Sequence, residues 1–204
     1  WMSFPEPHNP FQVPEPYWDM FPPDTVPERA AGPEALERKG YPWVFERDLI
    51  EHFHPGFDEL WRRYRSNYCG MIRLIDDQFA RFLDYLDTAG LKERTLLVFT
   101  SDHGDYAGDY GLVRKGVGVP ECLMRVPMVW AGPGVQADGA FHPAHVSLVD
   151  IFPTVCEALG LELPPGVQGR SLWPLLRGEA TRHHGHVFAE KTFHTAYEPQ
   201  RAVR

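Results

Sequence analysis

Thr95–Lys115 reads TLLVFTSDHGDYAGDYGLVRK. Leu96, Leu97, Val98 and Phe99 form a short apolar run of strand-forming residues, and polar, glycine-bearing sequence follows it at once. The pattern predicts a buried strand running into a loop. Ligands of open α/β sheets sit beyond the carboxyl ends of the strands, so Ser101, Asp102, His103 and Gly104 fall at a functional edge. Asp102 offers an anionic oxygen and His103 an imidazole nitrogen, adjacent groups suited to one metal ion or to two neighbouring ones. The structural alternative has Asp102 capping a helix and His103 hydrogen-bonded within a loop. Gly104, Gly108 and Gly111 permit the tight turns that would carry Lys115 back to the same point. A lysine beside a metal suits an anionic substrate.

Outside that stretch, composition narrows the classes. A chain of 204 residues with 43% hydrophobic and 24% charged residues can bury a sizeable core as one domain. The formal net charge of −8 argues against general binding to nucleic acid or to anionic membranes, so an anion must be attracted by local cations. No apolar run approaches the length of a membrane span, and no signal peptide is visible. Cys69, Cys122 and Cys156 are odd in number and lie in apolar settings, which implies no disulfide framework. The compartment stays open between periplasmic or secreted and cytoplasmic.

Trp1–Phe4 look like the end of a strand. The proline-rich segment 5–27 that follows predicts an extended, ordered loop, because Phe11, Tyr17, Trp18 and Phe21 supply packing groups that a free linker would lack. Residues 28–57 read as a long excursion with one short helix, and His52 and His54 as surface residues. From about Asp58 to Ala89, Tyr68, Met71, Ile72, Ile75, Phe79, Phe82, Leu83 and Leu86 recur at helical spacing, and Gly90 is placed as the C-terminal stop. A break within this helix is allowed for. Beyond Lys115 a loop enters a second buried strand, Val126–Ala131, which Gly132-Pro133-Gly134 ends. Glu121 and Arg125 read as an ion pair, supporting or merely solvated. Val146–Leu159 predicts a helix with Ser147 or Asp150 as cap and Ile151, Val155 and Leu159 on one face. Ser171 reads as a further cap. His183, His184 and His186 hint at a metal site, but a turn entering the strand Val187–Ala189 explains them with less, since neighbouring acidic or cysteine companions are missing.

The run S-D-H-G, followed by Gly108-Asp109-Tyr110-Gly111 and Lys115, resembles the metal-site region of the sulfatase family within the alkaline-phosphatase-like superfamily. Pro7-His8-Asn9-Pro10 resembles that family's P-H-x-P segment, and N-Y-C-G-M-I-R-L-I-D-D-Q-F-A-R-F-L-D-Y-L its long helix before the S-D-x-G strand. R-V-P-M-V-W-A-G-P-G, V-S-L-V-D-I-F-P-T and V-Q-G-R-S-L-W-P-L-L continue the likeness in the family's order, so it covers most of the chain. The resemblance implies an α/β fold, alkaline-phosphatase-like, with a largely parallel, mixed sheet and helices on both faces. It implies that residues 1–204 are part of one catalytic domain, an internal piece whose first strands and C-terminal subdomain lie elsewhere.

The resemblance also implies chemistry. Asp102 and His103 would be metal ligands, Lys115 would bind the sulfate or the bridging oxygen as a catalytic and substrate-binding group, and His8 would help protonate the leaving oxygen. His194 would touch substrate. The family's usual ion is calcium, and the nitrogen donor of His103 leaves manganese or zinc open. The nucleophile of the family is a formylglycine made from the Cys or Ser of C/S-x-P-x-R. Cys69 and Arg73 share that spacing, but Met71 stands in the proline's place within a helix, so the nucleophile is expected upstream of Trp1. The implied partner is a sulfate ester, a sulfated sugar among the options, with no nucleic acid and an undetermined oligomeric state. The piece alone is expected to be inactive. A phosphodiesterase or phosphonate monoester hydrolase of the same superfamily, and a non-catalytic sulfatase-like module, are the alternative readings.

Overall fold

The computed structural model describes residues 1–136, 139, 141–194 and 197–204. Residues 1–32 contain no helix or strand. Trp1–Phe4, expected as a strand end, pairs with no strand, and the Trp1 side chain is fully exposed. The proline-rich segment is held in place as expected. Phe11 is buried edge-on to Tyr64 and Tyr68, with ring centroids 6.2 and 5.6 Å away. Asn67 Nδ2 donates to the Phe11 carbonyl at 3.0 Å, and the Arg63 guanidinium lies 4.6 Å over Trp18.

A 3-10 turn at Pro33–Arg38 leads to α1, Tyr41–Phe53, which is longer than the short helix expected there. Its buried residues, Trp43, Glu46 and Ile50, fall at i, i+3 and i+7, one helical face. Gly56 in the left-handed region turns the chain into α2, Phe57–Thr88. This helix of 32 residues runs unbroken, so the break allowed for is not there, and Gly90 at φ 65° lies just past its end. Its buried residues fall mostly in the N-terminal half, Phe57, Trp61 and Met71 among them, with Leu86 buried near the other end, whereas Ile72 and Leu83 are exposed. No described helix is long and apolar enough to cross a membrane.

Strand β1, Leu97–Thr100, follows, and after the site loop come the single turn α3, Glu121–Met124, and β2, Met128–Ala131. β1 and β2 are antiparallel, with Leu97 opposite Ala131 and Thr100 opposite Met128. α4 is Ile151–Ala158 and α5 is Trp173–Leu176. The two expected cap residues act one turn earlier, since Ser147 and Asp150 form a reciprocal capping box on the 3-10 turn Leu148–Asp150 that leads into α4. The buried face of α4 differs from expectation: Pro153, Thr154 and Cys156 are inside and Leu159 is exposed. Thr154 selects it, since its hydroxyl donates to the Asp150 carbonyl at 2.5 Å and accepts the Leu172 amide at 2.8 Å. Near the C-terminal end β3, Phe188–Phe193, pairs antiparallel with β4, Tyr197–Val203. The strand expected at Val187–Ala189 therefore continues to Phe193.

Helices around short strands make this an α/β architecture. Both strand pairs among the described residues are antiparallel, so the parallel part of the expected sheet would have to be formed with other strands. The main core lies under the site loop rather than on a sheet. Trp43 and Ile50 of α1, Phe57 and Trp61 of α2, and Tyr106, Leu112 and Val113 of the loop pack into one buried cluster. Burying each of the larger side chains contributes roughly 2 kcal/mol, and this fastens the loop to two helices.

Candidate active site

The loop leaving β1 is shaped by its own polar groups. Ser101 Oγ donates to the His103 carbonyl at 2.8 Å, and the His103 amide donates to Asp102 Oδ1 at 2.9 Å. Asp102 is thus an acceptor for its own loop rather than a helix cap, and its side chain is 86% exposed. The His103 ring is assigned by its neighbours. Nδ1 lies 2.7 Å from the Gly104 carbonyl, which only accepts, so Nδ1 carries the hydrogen. Nε2 is left with its lone pair, 2.9 Å from Lys115 Nζ and 3.6 Å from Asp102 Oδ2. A metal-ligating histidine is held the same way, with its second nitrogen donating to a carbonyl. The carboxylate and the imidazole therefore fit a divalent cation as two of its donors, with Lys115 beside them.

Gly104 is required by packing. Its amide donates to the Leu123 carbonyl at 2.9 Å, and a Cβ there would stand 1.9 Å from the Cys122 carbonyl oxygen. The chain then doubles back around Asp105, whose Oδ1 accepts both the Ala107 amide at 2.8 Å and the Arg114 amide at 2.9 Å. Burial pushes the Asp105 carboxyl up to about 6, against the opposing pull of those two amides and of the His103 and His8 imidazoles. Ala107, Tyr110 and Arg114 all have positive φ, a costly conformation for residues with a side chain. Arg65 of α2 holds the strained turn, donating to the Ala107 carbonyl at 2.8 Å and to Asp109 at 2.7 Å. Its remaining hydrogen bonds reach the Pro27 and Glu28 carbonyls. The Tyr106 hydroxyl donates to the Val117 carbonyl. The net effect is that Lys115 returns to His103.

The other expected residues border the same place. His8 Nδ1 donates to the Asn9 carbonyl at 2.8 Å, and the ring lies close enough to Asp105 to favour its ionised form. His194 stands just beyond the end of β3. Burial lowers its pKa, Glu46 opposes that, and Lys115, Lys191 and His103 lower it further, so His194, Lys115 and His103 share one electrostatic neighbourhood. Lys115 thus contacts His103 directly, while His8 and His194 approach the group electrostatically.

Several residues are placed differently from their reading in the sequence. His54 is half-buried, with Nδ1 3.1 Å from the Tyr64 hydroxyl and Nε2 3.3 Å from Arg114 Nη2. It lines a cleft of ≈ 290 Å³ with Asn9, Asn67, Arg63 and Arg114. The turn between α1 and α2 brings it there, and no local pattern signals that. His183 and His184, read as an entry turn, converge on the buried Asp150. Their acidic companion is more than thirty residues earlier in the sequence, so spacing could not reveal it. Asp105 gives no signal in the sequence either, since a clasp between residues nine apart has no periodic signature. Cys69 lies in α2, where burial raises its thiol pKa and keeps it protonated. Glu121 and Arg125 are 3.7 Å apart and more than half exposed, a solvated pair.

Comparison with known proteins gives the family and the fold. The family model described as Sulfatase matches residues 1–161. The chain is 32% identical over 222 residues to the multifunctional alkaline phosphatase superfamily protein PehA of Trinickia caryophylli, covering 100% of this chain and 42% of that one. It is 31% identical over 199 residues to an arylsulfatase of Clostridium perfringens, covering 94% of this chain and 40% of the relative. Among solved structures, the phosphonate monoester hydrolase SpPMH from Silicibacter pomeroyi superimposes with a TM-score of 0.80 at 29% identity, covering 95% of this chain and 40% of that one. The chain therefore spans about two fifths of the length of the relatives it matches. With the S-D-H-G loop, the returning lysine and the long helix all in the matched region, the chain belongs to the sulfatase family.

Proposed function

We propose that this chain supplies the metal-binding and leaving-group side of the active site of a sulfate-ester hydrolase, and that residues 1–204 are one part of its catalytic domain. The observation that carries the reading is the approach of Lys115 Nζ to His103 Nε2 at 2.9 Å, beside the exposed Asp102 carboxylate at the carboxyl end of β1. Asp102 and His103 hold a divalent cation, calcium by family resemblance, with manganese or zinc open to the nitrogen donor. Such a cation, when bound, draws charge from the ester's non-bridging oxygens. Lys115 binds the sulfuryl oxygens electrostatically, His8 protonates the departing oxygen, and His194 contacts the ester from the β3 side. The formylglycine nucleophile comes from outside these 204 residues, so the chain alone turns nothing over. A sulfated sugar is one substrate class that such a site serves.

A second reading, hydrolysis of phosphonate monoesters, is favoured by the likeness to the Silicibacter pomeroyi enzyme at a TM-score of 0.80. Steady-state kinetics of the full-length protein on 4-nitrophenyl sulfate and on a 4-nitrophenyl phosphonate monoester separate the two. The sulfate ester is expected to give the higher kcat/KM. A higher value for the phosphonate establishes the second reading, and turnover of neither, in metal-replete protein, contradicts both.

A further inference from the structure

Asp150 is fully buried, and no lysine or arginine side chain pairs with it among the described residues. Its orientation is fixed by backbone, because Oδ1 accepts the Arg170 amide at 2.9 Å and Oδ2 accepts the Ser147 amide at 2.8 Å. Two imidazoles face it. His184 Nε2 lies 3.0 Å from Oδ1 and 2.9 Å from Oδ2, and His183 Nε2 lies 3.3 Å from Oδ2. The His183 side chain is 5% exposed, and its Nε2 is buried without a hydrogen-bond partner. That atom is the anomaly. A buried ring nitrogen 3.3 Å from a carboxylate oxygen with no well-formed hydrogen bond keeps the cost of its lost hydration. A cation between the two, bound by the neutral imidazole and the carboxylate, removes that cost.

We infer that Asp150, His183 and His184 form a second metal site, sharing no residue with Asp102 and His103, that takes zinc or a similar borderline divalent ion. One ligand atom from each of the three lies within 4.8 Å of the others. Zinc bonds of about 2.0–2.1 Å in a tetrahedron place donors about 3.3 Å apart, close to the 2.9 and 3.3 Å separations here. Two imidazoles and one carboxylate form a donor set such ions prefer, and the amides on Asp150 act as the outer hydrogen bonds that ligating carboxylates usually carry. Burial also lowers the His183 pKa, against the pull of Asp150, which favours the neutral imidazole a ligand must present. The ion ties the start of α4, the turn at Arg170 and the segment entering β3 into one unit.

The test uses full-length protein carrying Asp102→Ala and His103→Ala, stripped of metal and titrated with Co2+ as a spectroscopic probe and with Zn2+ in calorimetry. One equivalent is expected to bind, with the visible ligand-field bands of a low-coordinate cobalt site, and zinc is expected to raise the melting temperature. Adding His183→Ala, or the bulkier His183→Gln should the alanine variant fail to fold, is expected to weaken binding at least tenfold and abolish the bands. Absence of any bound equivalent in the Asp102→Ala/His103→Ala protein overturns the inference, as does binding undiminished by the His183 substitution that folds.

Discussion

Asp105 Oδ1 takes two backbone amides from opposite ends of the site loop, and so decides where Lys115 emerges. Asp105→Ala leaves both amides without that acceptor and is expected to cost about 2–4 kcal/mol of stability, measured by urea denaturation. Asp105→Asn should behave differently. Both bonds go to the same oxygen, which an amide can supply, while the desolvated charge that drives the carboxyl up to about 6 disappears, so near-neutral stability should be kept or raised. His54 gives a pH dependence of defined sign. Burial, reinforced by Arg114, holds its pKa below the usual value of 6.5, so below that value the unfolded chain binds the proton more readily than the folded one. Its contribution to stability is present above pH 6.5 and is lost as the pH falls; thermal melts of wild type and His54→Gln across pH 5–8 should show a smaller acid loss in the variant. At this scale the sequence displays only what is local. Asp102, His103 and Lys115 sit in one glycine-punctuated run and could be picked out, whereas Asp105, His54 and the Asp150 group acquire their roles through partners folded in from elsewhere.

The elements are more fully legible, because hydrophobic period and strand composition are properties of contiguous sequence. α2 was located to within a residue at each end, and β1 to within one. What the period could not give is which part of α2 is buried. Its apolar stripe continues through Leu86, yet only residues of the first half join the main core, since α1 and the site loop pack there; Leu86 is buried apart from that cluster and Leu83 is exposed. Likewise the Ile151, Val155 and Leu159 stripe of α4 lost to Thr154, whose hydroxyl bridges Asp150 and Leu172. Two substitutions test how elements position the site. Arg65→Lys keeps a charge but cannot span the Ala107, Pro27 and Glu28 carbonyls together with Asp109, and is expected to destabilise by about 2–4 kcal/mol, with the loss visible in chemical denaturation. Gly104→Ala drives a methyl into the Cys122 carbonyl, so the loop must shift from α3; the expected outcome is a kcat/KM at least tenfold lower in the full-length protein.

Across the whole molecule, apolar surface is left uncovered in particular places. Phe99 on β1, Val129 on β2, Phe152 on α4, Leu159 just past its end, and Phe188 on β3 are all exposed. Large apolar side chains left in water favour association, and the chain spans about two fifths of the length of the relatives it matches. The 204 residues expressed alone are expected to bind 8-anilinonaphthalene-1-sulfonate strongly and to self-associate in sizing chromatography; a non-binding monomer would mean that these faces are closed some other way. The family and the α/β class could be read from motif order, but the pairing of strands could not, since register and direction depend on which neighbours a strand finds. The central claim is that Lys115, Asp102 and His103 act together on an anionic ester. It is tested most directly by kcat/KM for 4-nitrophenyl sulfate of full-length wild type and Lys115→Ala, both matched for metal content. A fall of about a hundredfold or more is expected, as when a group stabilising transition-state charge is removed. A Lys115→Ala enzyme within about threefold of wild type, a difference of less than 1 kcal/mol in transition-state binding, would contradict it.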